Sequence, residues 1–261
     1  SLEELRQQIE AWREEDRAGF DADRYYDSER TVGYTEHNRG SQETLTRRTL
    51  QLSSVNMEDN GSSEDTILAL DLGCGSGLST TVAQRHAGGD KLAVLGLDLS
   101  SEMLRSEEWT KEGRSTRHPL AGERLRGDLA QPLPFREGIF DLCYSVSAVH
   151  YLASASLTKT AEQRIGQLTS SLQRVLGPNA RPCTLQAYLT RESNAVETFR
   201  QVAVQDGWTC ELVVDQAHGQ KAERDFLYLC RQGSLPSPPK CALYSQSHAT
   251  CALALEGWAK T

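Results

Sequence analysis

The sequence predicts an α/β fold: a doubly wound, mainly parallel, seven-stranded sheet with helices on both faces and the last strand antiparallel. Three observations carry this. Short apolar runs alternate with helical stretches from Thr66 onward. A glycine-rich turn, LDLGCGSG, follows the first of those runs. Two closing runs, WTCELVV (208–214) and DFLYLC (225–230), fit an antiparallel hairpin.

Each element has its own signal. Residues 2–18 predict a polar helix whose apolar positions are Leu2, Leu5, Ile9 and Trp12. The segment from Asp23 opens with aromatics (Tyr25, Tyr26, Tyr34) and continues as a helix from Gln42 to Leu52. NMEDNGSSED (56–65) is a polar loop without periodicity. ILALDL (67–72) and KLAVLGLDL (91–99) read as buried strands, each followed by a helix, the second with Ser100 or Ser101 as N-cap. ERLRGD (123–128), IFDLCYSVSAV (139–149) and PCTLQAYL (182–189) are the next strands. Helices are expected at 161–176 and near 193–206. The organisation is therefore a polar helix at 1–22, a domain at 23–231 whose residues 23–55 form a lid and leading helix, and an irregular proline-containing tail at 232–261.

Composition bounds the function. A chain of 261 residues, 38 % hydrophobic and 25 % charged, suits a globular core and excludes collagen-like or wholly disordered chains. No apolar run approaches the roughly 18 residues of a membrane span, and the charged N-terminus is unlike a signal peptide, so a soluble intracellular protein is expected. The net charge of −8 is local: residues 1–30 hold ten acids against five arginines, and Glu58, Asp59, Glu64 and Asp65 add four more. The remainder is close to neutral, which leaves nucleic acid open as a substrate. Seven cysteines without any C-x-x-C argue against a zinc site in this chain and against a disulfide framework, and point to a reducing compartment.

The chemistry is concentrated in LDLGCGSGLST (70–80), which places Asp71, Gly73, Cys74, Gly75 and Gly77 between a strand and a helix. Glycines there permit a tight turn and let a ligand touch the backbone. A dinucleotide site is the competing reading, but the spacing is G-x-G-x-G and an acid ends the strand. This looks like the first motif of class I S-adenosylmethionine-dependent methyltransferases, in which a carboxylate at Asp71 faces the positively charged amino end of the cofactor. Asp98, 27 positions later at the end of the second strand, can accept both ribose hydroxyls, with Leu99 and Met103 against the adenine. Asp128 can accept from the adenine amino group, with Leu129 beside it, and Ser145 lies where the fourth strand ends beside the methyl donor. Taken singly, a strand-terminal Asp is more often a turn residue, and a Met more often core. Four pieces in order on the expected elements favour cofactor binding.

RYYDSERTVGYTEHNRGSQ, LDLGCGSGLS, LDLSSEML, PLPFREGIFD and SVSAVHYL together resemble the eukaryotic small-subunit (18S) ribosomal RNA (guanine-N7)-methyltransferase family, as do QAYLTRES and ELVVD…DFLYL. The similarity covers roughly residues 23–231. It implies methyl transfer from S-adenosyl-L-methionine to N7 of a guanine in small-subunit rRNA, in ribosome biogenesis. N7 has a lone pair and no proton, so alignment rather than a general base carries the reaction. His150, Tyr151 and Tyr188 are the candidate catalytic residues. His150 and Tyr151 stand where the family usually has glutamine and tryptophan, Tyr151 and Tyr188 are candidates to stack on the splayed base, and Tyr188 reads equally well as a tyrosine at the edge of the core. Tyr34 and Arg39, in the lid segment 25–39, are candidates for the methionine end of the cofactor, Arg39 pairing with its carboxylate; a simple cover over the sheet edge is the other reading. The resemblance further implies a small zinc-containing activator subunit that adds a strand along Glu123–Gly127, and residence in the nucleus (nucleolus) and cytoplasm. The family's basic C-terminal tail is replaced here by the segment from Ser234. Two other functions share these motifs: a small-molecule methyltransferase, against which the polar aromatic lid argues, and a non-catalytic ribosome assembly factor.

Overall fold

A computed structural model of the chain describes residues 26, 28–55, 66–87, 91–106, 121–153, 159–188, 194–215 and 224–231. The expected helix at 1–22, the loop at 56–65 and the tail at 232–261 lie outside the described residues. Seven strands form one sheet: β1 (Ile67–Leu72), β2 (Leu92–Asp98), β3 (Arg124–Arg126), β4 (Leu142–Val146), β5 (Cys183–Ala187), β6 (Trp208–Asp215) and β7 (Arg224–Arg231). Their spatial order is β3-β2-β1-β4-β5-β7-β6. The first five are parallel neighbours, and β7 runs antiparallel to both β5 and β6, as the sequence predicts for the last strand.

The central strands are continuous apolar runs because both faces are covered. Successive residues of β1 point to opposite faces: Leu68, Leu70 and Leu72 join a core with Ile165, Leu168, Leu172 and Phe199. Ala69 joins a second core with Leu45, Leu50, Leu52, Val94, Tyr144 and Phe226. The first core is covered by α4 (Ala161–Val175) and α5 (Ala195–Gln205), the second by α1 (Ser28–Leu52) and α2 (Leu78–His86). The short α3 is Ser101–Leu104, capped by Ser100, whose hydroxyl accepts from Met103 N at 3.3 Å. Thr160 and Gln163 form a reciprocal capping box that starts α4.

Two elements differ from the sequence expectation. The helix expected from Gln42 begins at Ser28 and absorbs most of the lid segment. Gly33 and Gly40 weaken its intrinsic propensity, but packing of its buried face against both the sheet and the glycine turn outweighs them. The fourth strand stops at Val146, and a 3-10 turn follows at Val149–Ala153. The strand order reverses between β1 and β4, so a crevice opens at their C-terminal ends.

Candidate active site

At that switch point lies a cleft of about 990 Å³ counted out to its open mouth. The turn after β1 and the turn after β4 form its floor. Gly73, Gly75 and Gly77 all have positive φ (74°, 54° and 86°). A Cβ on Gly73 would lie 2.2 Å from Ala148 Cβ, so the two turns pack backbone to side chain. Ser147 also adopts a left-handed conformation, φ 59°; its N–H and hydroxyl both donate to Gln186 Oε1, at 3.0 and 2.9 Å. That pair of bonds offsets the strain and ties the floor to β5.

Asp98 ends β2 at the cleft wall. Its Oδ2 accepts from Gly75 N and its Oδ1 from Ser100 N, each at 2.8 Å. The carboxylate thus fixes the glycine turn and the start of α3 at the wall of the cleft. Asp128 lines the cleft with Leu129; its Oδ1 accepts from Ala130 N at 2.8 Å, an Asx turn that orients the side chain. Cys74, Leu99 and Met103 complete this wall. A Cβ on Gly75 would come within 3.1 Å of Met103 Cε, so only bare backbone leaves the space between them open. Bare glycine backbone, two oriented carboxylates and an apolar wall suit a cofactor that carries a purine, a ribose and a cation.

Helix α1 roofs the cleft with Tyr34, Thr35, Asn38 and Gln42, one face of the helix. The Thr35 hydroxyl donates to Ser76 Oγ in the glycine turn at 2.8 Å. Tyr26 packs edge-on against Tyr34 (5.5 Å between centroids), and its hydroxyl meets that of Tyr151 across the mouth at 3.5 Å. Arg164, from α4, brings a guanidinium into the lining and donates to the Tyr151 carbonyl.

Five expected site residues stand elsewhere. Asp71 does not face the cleft: it is fully buried beneath the turn, and its Oδ2 accepts from the Ser79 and Thr80 hydroxyls at 2.6 and 2.8 Å. Burial drives its pKa up to about 6, against the lowering effect of those bonds. Its role is to clamp the turn to the first residues of α2. Ser145 is buried too and donates to Leu72 O at 2.7 Å, a bond between β4 and β1; Val146, Ser147 and Ala148 line the cleft instead. Arg39 follows Asn38 by one residue, about 100° round the helix, and is outside the lining. Of the three aromatic candidates only Tyr151 lines the cleft. His150 and Tyr188 form a row beside it, the His150 centroid lying 4.2 Å from Tyr151 and 5.6 Å from Tyr188. Burial pulls the His150 pKa down to about 4, so its ring is neutral near pH 7.

Residues 70–181 match the protein family described as "Methyltransferase domain". The chain is 33 % identical over 214 residues to an 18S rRNA (guanine-N7)-methyltransferase of Bos taurus, covering 79 % of this chain and 66 % of that one. It is 31 % identical over 210 residues to the corresponding enzyme of Arabidopsis thaliana, covering 78 % and 65 %. Over most of its length the chain is similar in sequence to this family. It spans just under two thirds of the length of these curated relatives. In fold it is similar to a SAM-dependent methyltransferase from Aquifex aeolicus, at a TM-score of 0.56 and 16 % identity over 78 % of this chain and 98 % of that one. The matched segment 70–181 contains the glycine turn, Asp98, Asp128 and Tyr151.

Proposed function

We propose that the chain transfers a methyl group from S-adenosyl-L-methionine to N7 of a guanine in small-subunit rRNA. The observation that carries this reading is the cleft itself: the oriented carboxylate of Asp98 on a bare glycine turn at one end and Tyr151 at the other, in a chain similar in sequence to this family. Bound cofactor supplies an electrophilic methyl on a sulfonium. Asp98 would accept from the ribose hydroxyls, Asp128 from the adenine amino group, and Leu99 and Met103 would flank the base. Tyr34, Asn38 and Gln42, which line the cleft from α1, would meet the methionine end.

The guanine N7 lone pair forms the new C–N bond as the C–S bond breaks, and no proton is transferred. Holding the target in line can supply on the order of 7–11 kcal/mol of the barrier. Methylation leaves the purine ring positively charged. The Tyr151 ring therefore binds the transition state and product more tightly than neutral guanine, a cation–π gain of roughly 0.5–2 kcal/mol that acts on rate rather than on ground-state binding. Arg164 holds the Tyr151 carbonyl and so positions the ring.

β3 ends the sheet, and its three residues are exposed. Glu123–Gly127 is the strand along which a small zinc-containing activator subunit would add its own, the zinc belonging to the partner. Among the described residues no cluster of three or more His, Cys, Asp or Glu could hold a metal. A nuclear (nucleolar) and cytoplasmic location accords with an rRNA substrate.

The deciding experiment is mass-spectrometric nucleoside analysis of small-subunit rRNA from cells with and without this protein. One N7-methylguanosine should disappear without it, return with wild type and fail to return with Asp98→Ala. An unchanged profile would overturn the rRNA reading in favour of a small-molecule acceptor. A site restored by Asp98→Ala as well would make this chain an assembly factor for another enzyme.

A further inference from the structure

Outside the cleft, the antiparallel register pairs Ala187 with Asp225, so the next rung brings Tyr188 beside Arg224. The Arg224 guanidinium carbon sits 5.6 Å from the centroid of the Tyr188 ring. Tyr188 is nonetheless 46 % exposed. From Tyr151 at the cleft, through His150, to Tyr188 and Arg224, three rings and a guanidinium form one row along the C-terminal edge of the sheet. The row is held in place. The turn that carries His150 and Tyr151 is bound through Ser147 to Gln186, two residues before Tyr188. His150 is neutral and largely buried, a spacer rather than a charge.

We propose that Tyr188 and Arg224 form a second nucleotide site, which takes the base next to the methylated guanine in a single-stranded target. This rests on the rRNA reading of the cleft. A base extruded into the cleft beside Tyr151 leaves its neighbour unstacked at the mouth. An exposed aromatic ring with an arginine plane against it supplies the sequence-tolerant stacking surface and positive charge that single strands use. Arg224 contributes its plane to the base and its charge to the adjoining phosphate.

The test uses the full chain and single-stranded RNA pentamers with a central guanine, either intact or with one abasic neighbour. Fluorescence anisotropy gives the RNA Kd, and calorimetry with S-adenosylmethionine checks that the cleft is intact. Tyr188→Ala should weaken the intact pentamer roughly 5- to 100-fold, as loss of one stacked base does. Tyr188→Phe should retain affinity, and Arg224→Gln should lose part of it. One abasic neighbour should weaken wild type by the factor seen for Tyr188→Ala, and combining the two should add nothing. The proposal is overturned if Tyr188→Ala binds the intact pentamer like wild type, since the Tyr188–Arg224 pair is then only a surface contact. Equal losses on intact and abasic RNA, or no affinity of wild type for the pentamer, overturn it too. Failure of the rRNA reading is separate: wild type then leaves rRNA from cells lacking the protein unmethylated, whatever the pentamers show.

Discussion

Asp71 and Asp98 are both strand-terminal carboxylates, yet their surroundings give them different work. Asp98 opens on the cleft and is saturated on one side by backbone N–H groups. Asp71 is sealed beneath the turn, its carboxylate held by the Ser79 and Thr80 hydroxyls. With a folded pKa of about 6, above its ordinary value of 3.8, Asp71 is bound more tightly to its proton in the folded state than in the unfolded one. Its contribution to stability is therefore present below about pH 4 and is lost as pH rises through about 6. Asp71→Asn removes that titration. Between about pH 4.5 and about pH 8, denaturant unfolding should show wild type losing about 2 kcal/mol relative to the variant; parallel pH profiles would show that the carboxylate ionises freely. Of the site, the glycine turn, Asp98, Asp128, Leu99 and Met103 were legible in the sequence because they fall at the ends of three successive strands. The burial of Asp71 was not, since it depends on Ser79, Thr80 and the cover given by α1 and α2. Arg164 reaches the cleft from the first turn of α4, where a polar residue is also what any solvated helix start would show.

At the scale of elements, the sheet was legible and the roof was not. Strand runs such as ILALDL and LAVLGLD are short, continuous and apolar, and the glycine turn after the first marks where it ends, the pattern of strands buried on both faces. Residues 28–41, with two glycines, four threonines or serines and few apolar side chains, have no such signature. Their helix exists because Leu45, Leu50 and Leu52 anchor one end in the core, while Thr35 reaches the glycine turn at the other. Had the helical period been carried back from Gln42, Asn38 and Tyr34 would have fallen on its inner face. If tertiary packing does hold this helix against its own propensity, its glycines are an unused reserve. A Cβ at Gly33 or Gly40 meets nothing within 4 Å. Gly33→Ala and Gly40→Ala should each stabilise the chain by about 0.5–1 kcal/mol, or roughly 1–4 °C in Tm. Cofactor affinity by calorimetry should be unchanged in both. A fall in Tm would mean that the helix must bend or open at these positions.

At the scale of the whole molecule, the sheet has two edge strands of very different length, β6 and β3. Beyond β7, β6 is an eight-residue strand paired along its length. At the opposite side β3 has three residues, all exposed, with Leu125 39 % exposed between two arginines. Such an edge is a liability unless it is blunted or covered. Its length and arginines discourage casual pairing. The register fixes which groups face outward. Gly96 N donates to Glu123 O and Gly127 N to Asp98 O, so residues 123, 125 and 127 bond inward to β2. The N–H groups of residues 124 and 126 point away from the sheet. Proline at 124 therefore removes a donor that strand addition needs without breaking a bond to β2. Arg124→Pro should abolish co-purification with a co-expressed activator subunit while the chain's own Tm and its affinity for S-adenosylmethionine stay near wild type. The charge-only variant Arg124→Gln should keep the complex. If Arg124→Pro still co-purifies, the partner docks on another face. If Arg124→Gln loses the complex as fully as the proline variant, the interface is electrostatic and not a continued sheet.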